Sequence, residues 1–148
     1  MLYQSQISLL QAHYEVSSHY LVVLELEVQE LRKYIDSHSL PSPISRAGLI
    51  SPSPLAIIAF EIIRRCLSSV QYKVRARKLE KKLLGLRKYI INVKTMQGRY
   101  EKVLDADPAL RASLDGLDEM FNENYKMLEE LIGDITQLRM QSKFVCLM

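Results

Sequence analysis

Three stretches of this chain carry apolar residues at alternating steps of four and three, and that spacing restricts the fold more than any other feature. The first runs through Tyr3, Ile7, Leu10, Tyr14, Ser17, Leu21, Leu24, Val28, Leu31 and Ile35. The second runs through Tyr72, Ala76, Leu79, Leu83, Leu86, Ile90, Val93, Gln97, Tyr100 and Leu104, and the third through Leu114, Leu117, Phe121, Asn124, Leu128, Leu131, Ile135 and Leu138. Steps of four and three average 3.5 residues. A stripe with that period stays against a partner helix only when the helices wind around one another with a left-handed supercoil. The expected fold is therefore all-α, with three long helices in an antiparallel coiled-coil-like bundle.

The helices are bounded by local chemistry. Residues 2–36 read as the first, about 50 Å long at ~1.5 Å per residue. Four prolines within fourteen residues, Pro41, Pro43, Pro52 and Pro54, make 37–54 a Ser/Pro-rich connection, since each removes a backbone donor and disfavours helix in the residue before it. Ser53 is the expected N-cap, with Pro54 in the first turn, of a second helix over 55–104. From Leu55 to Leu67 the pattern changes, with Leu55, Ala56, Ile57, Ile58, Ala59, Phe60, Ile62 and Ile63 apolar on nearly every face, so this piece is expected to be buried on several sides. The stripe starting at Tyr72 does not extend cleanly back through it, because Arg65 and Ser69 fall on the stripe. The helix is thus either continuous with a shift of phase, or broken near 65–70. Asp107 as N-cap and Pro108 open a third helix over 108–143, and the short link makes it antiparallel to the second. Gly85, Gly98, Gly116 and Gly133 fall off the stripes, at outward positions. At 148 residues the chain is expected to be one domain.

Charge is segregated along the chain. Lys and Arg against Asp and Glu number 2 and 5 over residues 1–36, 13 and 2 over 64–102, and 2 and 9 over 105–134, giving nets of −3, +11 and −7. A basic middle helix between two acidic ones is the pattern that selects neighbours in an antiparallel bundle. The run Arg75, Arg77, Lys78, Lys81, Lys82, Arg87 and Lys88 is the candidate basic surface. Its intramolecular reading is neutralisation by the acidic helices. The alternative is docking on anionic lipid or nucleic acid, although no aromatic platform for stacking bases accompanies it.

No sequence signature of catalysis is present: no phosphate loop, dinucleotide fingerprint, nucleophile elbow or zinc-protease motif. His13 and His19, six apart, point to different sides of a helix, and His38 falls in the connection, so no metal site, cofactor or small-molecule substrate is expected. The acids Glu129, Glu130 and Asp134 read as a solvated face. Cys66 and Cys146 form no disulfide framework, and no apolar run is long enough to span a bilayer, so the expectation is a soluble cytoplasmic or nuclear protein and not an enzyme. Ser42, Ser51 and Ser53 each precede a proline, as a proline-directed kinase requires and as loop composition also produces.

The function expected from these features is that of a structural or adaptor subunit that binds other helices, or itself, through heptad faces. Ser17, Gln97 and Asn124 break the stripes, either as register-setting polar residues or as loosely packed levels. A first helix running back from the connection would cover the second only from about 55 to about 88. The tip of the hairpin, 90–125, would then be a two-helix pair with open apolar flanks. On that count the docking residues are Ile90, Ile91, Met96, Tyr100, Leu117, Met120 and Phe121, with Tyr100 and Phe121 as anchors.

Overall fold

The computed structural model describes residues 2–38, 54–104 and 107–145, the side chains at several helix ends and at 60–69 excepted. Helices α1 (Leu2–His38), α2 (Pro54–Leu104) and α3 (Pro108–Val145) form an all-α bundle in which each packs against the other two. Their ends lie within two residues of those expected, and His38 belongs to the end of α1, not to the connection. The helix of α2 runs without interruption through 65–70. Of its apolar first turns, Ile58 is 46% exposed and Ala59 is also exposed, contrary to the expected burial; the other side chains there lie outside the described residues. So do residues 39–53, with the Ser-Pro pairs and the Ser53 cap.

The α2–α3 turn is built as its sequence implies. The Asp107 carboxylate accepts a hydrogen bond from the Ala109 N–H (3.0 Å), and its carbonyl accepts from the N–H groups of Leu110 (3.2 Å) and Arg111 (3.1 Å). These bonds satisfy donors that the first turn of α3 would otherwise leave open. Pro108 occupies the first helical position, where a missing N–H costs nothing.

The three stripes meet on the bundle axis. Leu21, Leu24 and Val28 of α1, Ala76, Leu83 and Ile90 of α2, and Leu128 and Ile135 of α3 are nearly or fully inaccessible and form one continuous core. A second cluster at the α2–α3 turn contains Ile7, Leu10, Tyr14, Val93, Leu114 and Leu117. The four glycines on α2 and α3 face outward, and a Cβ at any of them would meet nothing within 4 Å.

The second cluster reveals a register different from the one expected. Tyr14 of α1 lies opposite Gln97 of α2, Glu27 opposite Lys82, and Tyr34 stacks on Tyr72. Helix α1 therefore spans α2 from about residue 72 to the turn, instead of from 55 to 88. Tyr3 and Ile7 reach the start of α3, sharing a surface depression with Asp107 and Leu110. The chain between α1 and α2 permits this offset. Eighteen residues of helix from Pro54 to Tyr72 rise about 27 Å, whereas fifteen extended residues reach as far as ~50 Å.

Leu83 and its neighbour Leu84 test which face is core, since Leu83 is fully buried and Leu84 is 42% exposed. Leu83→Ala is expected to destabilise the fold by roughly 2–5 kcal/mol, and Leu84→Ala by about 1 kcal/mol or less. Urea titration of the two variants measures the contrast.

Candidate functional site

The three polar residues that interrupt the stripes are all buried, and two of them, Gln97 and Asn124, are tied to α1 through Tyr14. The Tyr14 hydroxyl donates to Gln97 Oε1 (2.7 Å), and Gln97 Nε2 donates to Asp118 Oδ1 (2.6 Å), which also receives the Lys94 ammonium. Asn124 Nδ2 donates to the Tyr14 backbone carbonyl (3.0 Å), and Ser17 Oγ to the carbonyl of His13 (2.9 Å). Beside them His13 Nδ1 and the Tyr89 hydroxyl share a hydrogen bond. Every helix thus contributes to one connected polar layer. Of the two readings open to these residues, this geometry supports register setting for Gln97 and Asn124, because sliding α1 would strand buried donors and acceptors, whereas the Ser17 hydrogen bond stays within its own helix.

Burial, aided by the charges of Asp118 and Glu101, pushes the Tyr14 hydroxyl well above the ordinary phenol range. Burial does the same to Tyr72, partly offset by Arg32; the Tyr72 hydroxyl donates to the Leu138 carbonyl (3.0 Å). Both phenols remain protonated donors at neutral pH.

The segregated charges meet across the helix boundaries. Lys82 pairs with Glu27 of α1 (3.4 Å), Arg87 with Glu129 of α3 (3.7 Å), and Lys94 with Asp118. Two further pairs, Glu80 with Arg139 and Arg32 with Asp134 (3.5 Å), join α2 to α3 and α1 to α3. All are partly exposed, so each contributes only about 0–1 kcal/mol and acts mainly on the choice of neighbours. Arg75 and Lys78 flank Glu27 and Glu30 in a cleft between α1 and α2. Arg77, Lys81 and Lys88 face solvent, and among the described residues no acid lies within ion-pair distance of them.

The residues expected at an open hairpin tip are packed against α1 instead. Ile90 and Leu117 are inside the core, while Met96, Tyr100, Met120 and Phe121 are half-buried beneath the first turns of α1. Phe121 packs edge-on against Tyr14 with ring centroids 6.3 Å apart, and Lys94 lies 5.2 Å above its face. Only Ile91 points outward, 42% exposed. The register of α1 removes the reason for placing a docking site there, since the tip is covered from within.

An apolar face without a partner among the described residues lies on the outside of α1. Leu9, Ala12, Val16, His19, Val23 and Leu26 repeat at steps of three and four on the side away from the core, and all are exposed, Val16 by 60% and Leu26 by 57%. Val16 and Tyr20 also form one wall of a groove whose other wall is Gly85, Leu86 and Tyr89 of α2. The signal that could have revealed this face was charge. Residues 1–24 contain a single charged side chain, Glu15, whereas a helix with one solvated face carries charges throughout it.

Among the described residues no group of three or more His, Cys, Asp or Glu side chains is placed to hold a metal ion, and no helix is long and apolar enough to cross a membrane. No family model, curated protein or solved structure matches this chain.

Tyr14 tests the polar layer. Its folded-state pKa lies above the value near 10 of an unfolded tyrosine, so its contribution is complete below about pH 10 and is lost as pH rises further. Tyr14→Phe leaves Gln97 Oε1 without its donor and is expected to cost roughly 1–3 kcal/mol at neutral pH. It should also flatten the alkaline loss of stability, as followed by urea titration at several pH values on either side of about 10.

Proposed function

We propose that this protein is a structural or adaptor subunit that binds another helix, and that the outer face of α1 is the surface it uses. The observation supporting this reading is the second stripe. The core stripe of α1 already satisfies the intramolecular need for an apolar face, so Leu9, Val16, Val23 and Leu26 add nothing to the fold that charged residues would not. Exposed apolar side chains repeated at a 3.5-residue average fit a helix laid alongside, which is one of the recurring modes of protein recognition.

A second reading, docking on anionic lipid or nucleic acid, is favoured by the outward placement of Arg77, Lys81 and Lys88, which form no ion pair among the described residues. Binding of that kind weakens steeply with salt, whereas association through an apolar helix face does not. The helix-binding reading takes precedence because α2 interleaves its free cations with Val74, Leu84 and Ile91 and forms no uniformly basic face.

Val16→Glu combined with Val23→Glu separates association from folding. Circular dichroism and the urea midpoint should stay near those of the parent, while binding to a helical partner or to itself is lost. A parent chain that binds anionic vesicles or nucleic acid, with binding lost at high salt and unaffected by these two substitutions, would instead favour the basic surface.

A further inference from the structure

We infer that the outer face of α2 binds an acidic amphipathic helix of another protein. This surface is separate from the outer face of α1 and does not depend on it. On the side of α2 away from the core, the aliphatic Val70, Val74, Leu84 and Ile91 fall into one stripe with the cations Arg77, Lys81 and Lys88, again at steps of four and three. All of them are exposed, Val70 by 57%. The neighbouring Lys82, Arg87 and Lys94 each reach an acid of α1 or α3, whereas the three cations on the stripe form no ion pair among the described residues. The aliphatic members take no part in either core cluster.

Charge determines what can lie on this stripe. Between residues 70 and 91 the helix carries eight Lys and Arg against one acid, Glu80, whose carboxylate is held by Arg139 of α3. A basic helix is repelled there and an uncharged one leaves the cations uncompensated, so the surface selects acids opposite Arg77, Lys81 and Lys88, with aliphatic side chains opposite Val74, Leu84 and Ile91. A second copy of this chain does not supply that pattern. Its acidic surface, the outer side of α3, reads Asp115, Glu119, Asn122, Lys126, Glu129 and Gly133 at the same steps, exposed throughout but without one aliphatic side chain. Shape distinguishes a helix from a bilayer. The core stripe of α2 stays buried from Tyr72 to Gln97, so the outer stripe winds with the bundle, by roughly 60° over about 31 Å for a supercoil pitch of ~150–210 Å. A plane meets one part of such a stripe at a time, while a second helix follows it throughout. Nucleic acid offers phosphates to the cations and nothing to the aliphatic members, and the stripe has no aromatic ring on which a base could stack.

The experiment uses the full chain and two helical peptides of about three heptads each, identical in a stripe of leucines and carrying either Glu or Lys at the remaining positions of that stripe. Fluorescence anisotropy is expected to show binding of the Glu peptide and none of the Lys peptide. Lys81→Glu combined with Lys88→Glu should weaken the Glu peptide about tenfold and admit the Lys peptide, a gain that misfolding cannot imitate. Leu84→Ala combined with Ile91→Ala should also weaken the Glu peptide, whereas Val16→Glu combined with Val23→Glu should leave it bound, so the result stands apart from the outer face of α1. Equal binding of the two peptides, or of neither, would overturn the inference. So would Glu-peptide binding that ignores Leu84 and Ile91, which is charge attraction alone, and so would tighter binding to vesicles of phosphatidylserine and phosphatidylcholine or to duplex DNA than to the Glu peptide.

Discussion

The arrangement of the bundle depends on the hydrogen-bond chain from Tyr14 through Gln97 to Asp118. Apolar stripes alone specify which faces meet and leave sliding by a whole heptad comparatively cheap, because one Leu layer substitutes for another. Polar groups in the interior do not substitute in this way. Moving α1 by seven residues would take the Tyr14 hydroxyl from Gln97 Oε1 and the Tyr14 carbonyl from Asn124, and each orphaned group would cost about 1–3 kcal/mol. The cation at Lys94 draws Asp118 into the same layer, so α2 and α3 are aligned by the residues that align α1. With the register held there, the first turns of α1 pack against Val93, Leu114 and Leu117 near the ends of α2 and α3, and α1 keeps a stripe of exposed apolar residues on its outer side.

Much of this fold was legible in the sequence because the 3.5-residue period is a direct physical consequence of helices packing side by side. Core residues from Ile7 to Leu31, from Tyr72 to Val93 and from Leu114 to Leu138 follow from spacing alone, and Asp107-Pro108 marks the start of α3 by its capping chemistry. The register of α1 was not legible from lengths, since the connection sets only an upper limit on how far one helix end lies from the next. A different signal did carry it. Gln97 and Asn124 each interrupt a stripe, and requiring both to meet buried polar partners on α1 brings Tyr14 to the turn-proximal half of α2. The observed polar network is built from Tyr14, Gln97, Asn124 and Asp118. The outer face of α1 is less legible because Ala12 and His19 interrupt its aliphatic residues, although the near absence of charge before Glu25 marks it.

The charge pattern and the apolar faces answer different questions about neighbours. The ion pairs joining α2 to Glu27, Asp118 and Glu129 discriminate between helix arrangements while contributing little free energy. Apolar burial supplies the cohesion. The same division applies outside the bundle: the face of α1 has cohesion available and almost no charge to restrict its partner, whereas the ridge of Arg77, Lys81 and Lys88 has charge to select a partner, with aliphatic side chains interleaved.

The unequal connections between helices also make their contacts unequal in chain entropy. Helices α2 and α3 are joined through a turn of a few residues, so their contacts close with little loss of chain entropy, whereas α1 must return across residues 39–53 before any of its contacts form. Closing the hairpin is accordingly the cheaper contact and docking α1 the dearer one in chain entropy. Until α1 arrives, Gln97 and Asn124 are hydrated positions on an open seam. Its docking exchanges that water for Tyr14, so the helix with the longest way to travel carries the groups that finish the interior.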